Sequence, residues 1–383
     1  MVEPNQNPSV QNLLYHKFYH FIEKIWYPRP SYKISPLINI LIFPLFWMLS
    51  QIYLILSWLR KKLVISTELP VKTVVVGNIS SGGSGKTPFI IALAKELILK
   101  EINFAIVVHG YLAKIKDSTE VPLNGNVIDY GDEALLIKKI IDYYQNIPVY
   151  IGKSRVNSAK KILIDHPEVK LILFDDGIQD PSFIRNLEII LYTKSAIGNK
   201  LIIPAGPLRE PMGNLAQANK YAHSRMVLAT EENEENYDEV ANKITGGIIF
   251  SDFLVNNYNN IKPLTDYKNY NWLYFAAFAR PWRLLPTISE YTDSCYQFFY
   301  PNHFPLSLTE INSQLAKVNQ NTLSNSIILI TEKDAIKLSN TKDVNEISKI
   351  SIPIIVISYT LAIPEKVVNK ILETINEVQP SQS

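Results

Sequence analysis

The sequence predicts an α/β protein: a doubly wound parallel sheet, then a second, smaller α/β domain, with a membrane-associated helical segment at the N-terminus. Short apolar, β-branched runs alternate with segments of helical periodicity, which is typical of parallel sheets with helices on both faces. A polar, acidic stretch at 231–242 separates two such series, and residues 37–59 are apolar and uncharged. We therefore predict three regions, at 1–65, 66–240 and 241–383.

Periodicity assigns the individual elements. We predict strands at 71–76, 104–108, 148–151, 171–174, 187–192, 247–250, 272–275, 326–331 and 352–358. We predict helices at 88–100, 132–144, 155–165, 307–318 and 364–378. Continuous apolar runs of this length indicate strands that are buried on both faces, as in a parallel sheet.

Composition and charge exclude several classes of protein. Apolar residues make up 47% of the chain and charged residues 19%, which is typical of a globular protein and not of a disordered one. The net charge of +2 provides no field that would attract nucleic acid. The single cysteine, Cys295, excludes an intramolecular disulfide framework and indicates a packed apolar residue rather than a nucleophile. Nothing in the sequence indicates a protein partner.

The apolar stretch at 37–59 is long enough to reach across a bilayer core as a helix, and basic residues flank it on both sides. The basic cluster at 60–62 favours a cytoplasmic location for the rest of the chain. Three arrangements remain open: a single span, a segment in one leaflet, or a buried core helix. Because Pro44 disfavours one straight helix, we predict a kinked helix pair that dips into the cytoplasmic leaflet, with a single span as the close alternative.

A glycine-rich loop between a predicted strand and a predicted helix is the sharpest motif and indicates a P-loop NTPase-like sheet. Glycines let backbone N–H groups face phosphates, and a helix N-terminus attracts negative charge. Lys86 would neutralise the phosphates of ATP, and the Thr87 hydroxyl would bind Mg²⁺. The general pattern has glycine in place of Ser80, and a plain Gly/Ser connector is the alternative. The predicted nucleotide-binding residues are Ser80, Ser81, Gly82, Gly83, Ser84, Gly85, Lys86 and Thr87.

A strand that ends in two carboxylates supplies the expected second half of the site. Residues 171–177 read LILFDDG, so Asp175 and Asp176 follow an apolar run. Ligands of α/β sheets bind at the carboxyl ends of the strands, which would bring both acids beside the phosphate loop. We expect one or both to hold Mg²⁺, directly or through water. A polar exit into a tight turn is the alternative.

Further motifs, taken in chain order, carry a specific family resemblance. They are VVVGNISSGGSGKTP at 74–88, HGY at 109–111, GDEA at 131–134, FDDGIQD at 174–180, LEIILY at 187–192, PAGPLREP at 204–211, YPNHFP at 300–305 and TEKDAIKL at 331–338. With them the chain resembles the tetraacyldisaccharide 4′-kinase family of lipid A synthesis over about residues 35 to 340. The resemblance implies a P-loop domain and a smaller α/β domain, with the active site in the cleft between them.

The resemblance also implies a reaction and a place for it. The γ-phosphoryl group of ATP would pass to the 4′-hydroxyl of a tetraacyldisaccharide 1-phosphate, the lipid A disaccharide precursor, with Mg²⁺ as the metal. The enzyme would lie at the membrane surface, on the cytoplasmic face of the bacterial inner membrane.

Residue roles outside the phosphate loop follow from the resemblance as well. Asp132 would accept the proton of the sugar hydroxyl, and His303 would assist it as a dyad. Arg209 and Glu210 would lie near phosphates and Mg²⁺. The alternatives are a helix cap for Asp132, a packed turn for His303 and a surface ion pair for the last two. The implied catalytic residues are Asp132, His303, Lys86 and Arg209, and the implied metal ligands are Thr87, Asp175, Asp176 and Glu210.

Three positions depart from the family pattern. His109 stands where the family usually has arginine, Asp180 where it has histidine, and Asn302 where it often has aspartate. The first two changes reduce positive charge near a site that handles phosphate, so we expect the rate, the details of the substrate or both to differ. Two rival functions use the same loop: a membrane-associated P-loop ATPase without a sugar acceptor, and a non-catalytic nucleotide sensor.

Overall fold

The strands of the chain form two sheets, and the predicted α/β class is confirmed. The computed structural model describes residues 21–28, 36–110, 112–215, 221–230, 238–239, 242–339 and 350–377. The strands are β1 Lys72–Gly77, β2 Phe104–Val108, β3 Thr119–Glu120, β4 Val149–Ile151, β5 Leu171–Asp175, β6 Arg185–Tyr192, β7 Ala222–Ala229, β8 Asp238–Glu239, β9 Asn242–Ile249, β10 Asn271–Ala276, β11 Cys295–Phe299, β12 Ser326–Thr331 and β13 Ile354–Leu361.

Helices connect the strands in both sheets. Residues 21–26 are helical, and 3₁₀ turns cover Met212–Asn214, Tyr258–Asn260, Leu264–Tyr267 and Pro281–Leu284. The α-helices are α1 Pro36–Leu63, α2 Lys86–Leu99, α3 Val127–Tyr130, α4 Asp132–Asp142, α5 Arg155–Asp165, α6 Lys194–Ile197, α7 Phe250–Leu254, α8 Leu285–Ser289, α9 Leu308–Leu315, α10 Gln320–Leu323, α11 Glu332–Ser339 and α12 Glu365–Asn376.

Within the described residues, the larger sheet has eight strands in the order β3-β4-β2-β5-β1-β6-β7-β8, and all of its pairs are parallel except β3 with β4. Val74, Val75 and Val76 of the central strand β1 are fully buried. A strand covered on both faces needs this continuous apolar run, which is why the sequence shows no alternation there. Because β1 and β5 are parallel neighbours, the loops after them emerge side by side.

The smaller sheet has five strands in the order β11-β10-β12-β13-β9, with only β9 antiparallel to its neighbour. The loops that follow β10 and β12 therefore leave the same edge of this sheet. Burial raises the pKa of the Cys295 thiol in β11 to about 11, as expected for a packed residue. The region boundaries at 1–65, 66–240 and 241–383 stay predictions.

The structure differs from the sequence prediction at several elements. Strands β7 and β11 were not predicted, because their polar and half-buried residues interrupt the apolar run. Strand β9 begins earlier than the predicted strand at 247–250, and Phe250 already opens helix α7. Most of the acidic stretch at 231–242 lies outside the described residues, and its described residues 238–239 form the short strand β8.

Helix α1 replaces the predicted pair of helices. It runs unbroken through 28 residues with Pro44 inside it, because a proline removes one backbone hydrogen bond and can bend a helix without ending it. Within the described residues it is the one helix long and apolar enough to cross a membrane, over Ile42–Leu63, with mean hydropathy 1.7 and 6% of its apolar window buried. Its exposed large apolar side chains include Phe43, Leu45, Trp47, Met48, Leu49, Ile52, Ile55, Leu56, Trp58 and Leu59.

One side of α1 is anchored to the PAGPLREP segment at 204–211. The hydroxyl oxygen of the buried Ser50 accepts a hydrogen bond from Ala205 N at 3.3 Å. The Tyr53 hydroxyl donates to the carbonyl of Arg209 at 3.3 Å, and Lys61 Nζ lies 2.9 Å from Glu210 Oε1. These contacts join the apolar helix to a segment that also borders the phosphate loop.

Candidate active site

The predicted phosphate loop lies between β1 and α2, in the strand-loop-helix setting that its sequence required. Gly82, Gly83 and Gly85 have φ angles of +78°, +63° and +79°, which favour glycine over any residue with a Cβ. A Cβ on Gly83 would also lie only 2.8 Å from Arg280 Nε. The loop starts against the PAGPLREP segment, since Ser81 N donates to the carbonyl of Pro207 at 2.7 Å.

Lys86 and Arg209 converge on one carboxylate. Lys86 Nζ lies 3.6 Å from Asp176 Oδ2, and Arg209 Nη1 lies 2.6 Å from the same oxygen. Lys86 Nζ also donates to Asn78 Oδ1 at 3.2 Å. Burial alone would raise the pKa of Asp176, but Lys86 and Arg209 outweigh it and hold this pKa well below its usual range. Asp176 is therefore a carboxylate near neutral pH.

Asp175 and Asp176 offer oxygen atoms that fit a Mg²⁺ ion. Burial and the neighbouring Glu133 raise the pKa of Asp175 to about 7. In the described structure, the buried Oδ1 atoms of both aspartates and the Oγ of Ser84 have no hydrogen-bond partner. The described residues contain no group of three His, Cys, Asp or Glu able to hold a metal. A pair of carboxylates suits Mg²⁺, which takes one or two carboxylates and completes its shell with phosphate and water oxygens.

Asp132 and His303 meet across the two sheets. Asp132 opens α4 and is buried, and its Oδ2 lies 3.1 Å from His303 Nδ1. Lys333, in the first turn of α11, lies 3.8 Å from Asp132 Oδ2 and 2.8 Å from Glu133 Oε1. Burial would raise the pKa of Asp132, but Lys333 and the hydrogen bond from His303 lower it well below its usual range. The sequence-predicted pair thus exists as a charged, hydrogen-bonded contact.

A cavity of about 890 Å³ connects these groups. Residues 81–87 of the phosphate loop line it, as do the predicted residues Asp175, Asp176, Arg209 and His303. Ser80, Asp132 and Glu210 do not line it. Asp132 lies behind His303 and Lys333, which do border the cavity. Glu210 is buried against Lys61 of α1, so its predicted place on the metal remains a prediction.

The three residues that depart from the family pattern all line this cavity. Asp180 Oδ2 lies 3.0 Å from Arg155 Nη1, and its Oδ1 lies 3.7 Å from Arg60 Nη2. Burial would raise the pKa of Asp180, but Arg155 lowers it. Burial and Arg155 lower the pKa of His109, so this ring is neutral near pH 7. Asn302 lines the cavity next to His303, and Tyr111 of the HGY motif lies outside the described residues.

Sequence analysis missed several cavity residues. Arg155 opens α5, and Lys333 lies in the first turn of α11. Arg280 and Arg283 follow β10 and reach Gly83 of the phosphate loop. Lys333, Arg280 and Arg283 could have been found from their positions after strands β12 and β10, because loops at the carboxyl ends of parallel strands build ligand sites.

Comparison with known proteins identifies a family match. The family model described as LpxK, Tetraacyldisaccharide-1-P 4'-kinase, matches residues 41–376. A tetraacyldisaccharide 4'-kinase from Dechloromonas aromatica is 30% identical over 302 residues, 78% of this chain and 83% of the relative. One from Azoarcus sp. is 36% identical over 176 residues, 45% of this chain and 50% of that relative, so this match spans about half of its length.

A solved structure shares the fold. The crystal structure of LpxK from Aquifex aeolicus in complex with ATP superposes with a TM-score of 0.60, at 22% identity, over 86% of this chain and 99% of that one. At this identity the likeness establishes the fold, whereas the family match covers most of the sequence. The chain therefore belongs to the tetraacyldisaccharide-1-P 4'-kinase family, and it is a kinase.

Proposed function

We propose that this chain uses Mg²⁺ and ATP to phosphorylate the 4′-hydroxyl of a tetraacyldisaccharide 1-phosphate, the lipid A disaccharide precursor. One observation carries the proposal. The phosphate loop of one sheet and His303, the cavity-facing member of the Asp132–His303 pair, border the same cavity. A kinase needs a phosphate donor site and a group that handles the acceptor proton in one cleft, and this arrangement supplies both.

The donor side follows from the loop. Backbone N–H groups of residues 81–87 and the N-terminus of α2 would hold the phosphates, and Lys86 would neutralise charge on the transferring group. Bound Mg²⁺ would offset charge on the phosphate oxygens, held by Asp175, Asp176 and the hydroxyl of Thr87. Arg209 fixes Asp176 from the cavity side at 2.6 Å, which orients this carboxylate before any ligand enters.

The acceptor side rests on the dyad. His303 borders the cavity, and the carboxylate of Asp132 is hydrogen-bonded to Nδ1 of its ring. A carboxylate in this position fixes the orientation of the ring and stabilises the imidazolium. We propose that the pair takes the proton of the 4′-hydroxyl as one unit, while Lys333 keeps Asp132 ionised. The alternative roles, a helix cap for Asp132 and a packed turn residue for His303, do not require the two side chains to contact each other.

Helix α1 supports a membrane location. Its apolar side chains are exposed along one side, and its other side contacts the PAGPLREP segment through Ser50, Tyr53 and Lys61. We propose that α1 holds the enzyme on the cytoplasmic face of the bacterial inner membrane, where an acylated substrate is found. The short distance from α1 to Arg209 would bring the sugar headgroup to the cavity while acyl chains stay in lipid.

The proposed function is tested by transfer of labelled γ-phosphate from ATP to a purified lipid A disaccharide precursor in detergent. We expect a phosphorylated lipid that depends on Mg²⁺. Lys86→Ala should reduce the rate by about 10²–10³-fold, the scale of removing one group that stabilises transition-state charge. ATP hydrolysis at the same rate with and without the lipid, and no labelled lipid, would instead support the P-loop ATPase without a sugar acceptor.

A further inference from the structure

Residues 277–284, which we call the arginine loop, follow β10 of the smaller sheet and contact the phosphate loop of the larger one. The Arg283 guanidinium donates from Nη1 to the carbonyl of Gly83 at 2.9 Å. Arg280 donates from Nη2 to the same carbonyl and, at 3.4 Å, to that of Gly82. Two cationic side chains therefore converge on one neutral oxygen at the rim of the nucleotide site.

The arginine loop is fixed from behind by the TEKDA motif. Buried Asp334 accepts a hydrogen bond from Ala277 N at 3.2 Å and one from the Thr331 hydroxyl at 2.8 Å. Lys337 Nζ donates to the carbonyl of Ala277 at 2.6 Å. These bonds set the direction in which the chain leaves β10. The motif thereby acquires a role that its sequence alone did not indicate.

Arg280 is locked in place. It has a φ of +59°, in the left-handed region, and is 4% exposed. A non-glycine residue keeps this conformation only where its surroundings hold it. They do so here, because Nη1 donates to Ser195 Oγ at 3.1 Å while Nη2 bonds to the phosphate loop. Arg280 thus serves as a positioning residue for the arginine loop.

Arg283 has different surroundings. It is half-buried and lines the cavity together with Lys86 and Thr87. A guanidinium carries its N–H donors in a fixed planar fork that matches the oxygens of a phosphate group. Like charges that converge at this rim favour the arrival of a polyanion, and the triphosphate of ATP is bound by the adjacent N–H groups of the same loop.

We infer that Arg283 binds the phosphates of ATP directly, as a catalytic arginine that the smaller sheet supplies to the phosphate loop of the larger one. The inference rests on the proposed function for the identity of the nucleotide. It adds that the phosphate site is complete only when both sheets contribute to it. An arginine on the transferring group stabilises the charge that develops there, as in other phosphoryl transfer enzymes.

The experiment compares binding of a non-hydrolysable ATP analogue, AMP-PNP, with binding of AMP to the full chain in detergent. Arg283→Ala should weaken AMP-PNP binding by about 10-fold or more, the scale of one charge-assisted hydrogen bond, and should change AMP binding less than about 3-fold. Arg283→Lys keeps the positive charge without the planar fork, so its affinity for AMP-PNP should lie between those of the wild type and the alanine variant. If the alanine variant does not fold, the lysine variant provides the test. Lys268→Ala, which removes an exposed positive charge that precedes β10 and does not line the cavity, should bind both nucleotides like the wild type.

Two results overturn the inference: unchanged AMP-PNP binding with an unchanged transfer rate, or equal weakening of AMP-PNP and AMP, which would assign Arg283 a purely structural role. The outcome is separable from that of the proposed function. If the wild type transfers no phosphate to the disaccharide but Arg283→Ala loses AMP-PNP selectively, the acceptor is wrong and the arginine contact stands. If the wild type transfers phosphate and Arg283→Ala matches it in both assays, only the arginine contact is wrong.

Discussion

His303 Nδ1 lies 3.1 Å from Asp132 Oδ2, although 171 residues separate the two in the chain. The contact joins the start of α4 in the larger sheet region to the turn after β11 in the smaller one. Because one partner comes from each side of the cleft, the contact forms only when the two sheet regions are packed together as they are here. Its geometry makes the dyad testable by substitution.

The first prediction is that the two dyad residues act as a unit. Asp132→Ala should lower kcat by about 10²–10⁴-fold, the scale of losing a general base. The affinity for ATP should be nearly unchanged, because Asp132 does not line the cavity. The double variant with His303→Ala should be hardly slower than Asp132→Ala alone, since groups that act together share one contribution. The measurement is kcat and the ATP dissociation constant for both single variants and the double variant. Losses that multiply, or a weakened ATP affinity, would assign Asp132 to the metal or to the cap of α4.

The second prediction concerns Lys333, which lies 3.8 Å from Asp132 Oδ2. Its positive charge lowers the pKa of Asp132, so Lys333→Met should raise that pKa. Activity that needs ionised Asp132 is lost as the pH falls through this pKa. The acid limb of the kcat profile should therefore move to higher pH in the variant. The pH profile of Lys268→Ala, which loses an exposed charge away from the cavity, should not move. An acid limb that stays in place in Lys333→Met would show that Lys333 does not set the pKa of Asp132.

Sequence reasoning succeeded where one local pattern decides the structure. The phosphate loop was identified because glycine spacing, strand and helix coincide, and strands β2 and β12 were placed to the residue because their apolar runs are uninterrupted. Asp175 and Asp176 were placed beside that loop by the rule that parallel strands end at one edge.

The remaining features depend on contacts that no local pattern records. Arg280 and Arg283 meet the phosphate loop nearly 200 residues away in the chain, at separations of 197 and 200. Strand β7 carries His223, Ser224 and Arg225, so its pairing with β6 could not be deduced from periodicity. Helix α1 passes through Pro44 unbroken, although the proline suggested two helices. In each case tertiary contacts outweigh the local preference.

The third prediction concerns the exposed apolar side of α1. Ile55 and Leu56 are 56% and 60% exposed, so replacing both with lysine removes apolar contact with lipid without disturbing the contacts of Ser50 or Tyr53. Burial of two such side chains contributes about 3–6 kcal/mol to partitioning, which should shift a large share of the protein from the membrane pellet to the soluble fraction. Fractionation by centrifugation measures it.

The matched control for α1 is Ile164→Lys, because Ile164 is 76% exposed on α5, away from α1. This variant should stay in the pellet like the wild type. If the double lysine variant of α1 is folded and remains wholly in the pellet, another part of the chain holds the protein on the membrane.

The last prediction follows from Asp180, which stands where the family usually has histidine. Its carboxylate lies 3.0 Å from Arg155 and 3.7 Å from Arg60, and all three residues line the cavity. A carboxylate here offsets two positive charges that would otherwise attract an anionic acceptor such as a sugar 1-phosphate. Asp180→Asn removes this negative charge while its side-chain oxygen can still accept the hydrogen bond from Ser182 N at 3.1 Å. We expect the KM for the acceptor to fall by about 2- to 5-fold, the scale of a partly screened charge pair, and the gain to shrink at high salt.

The KM for ATP should not change, because the phosphate loop retains Lys86 and its N–H groups. A KM for the acceptor that rises, together with a lower unfolding temperature, would show that Asp180 is needed to hold Arg155 in place and not to set the charge of the cavity.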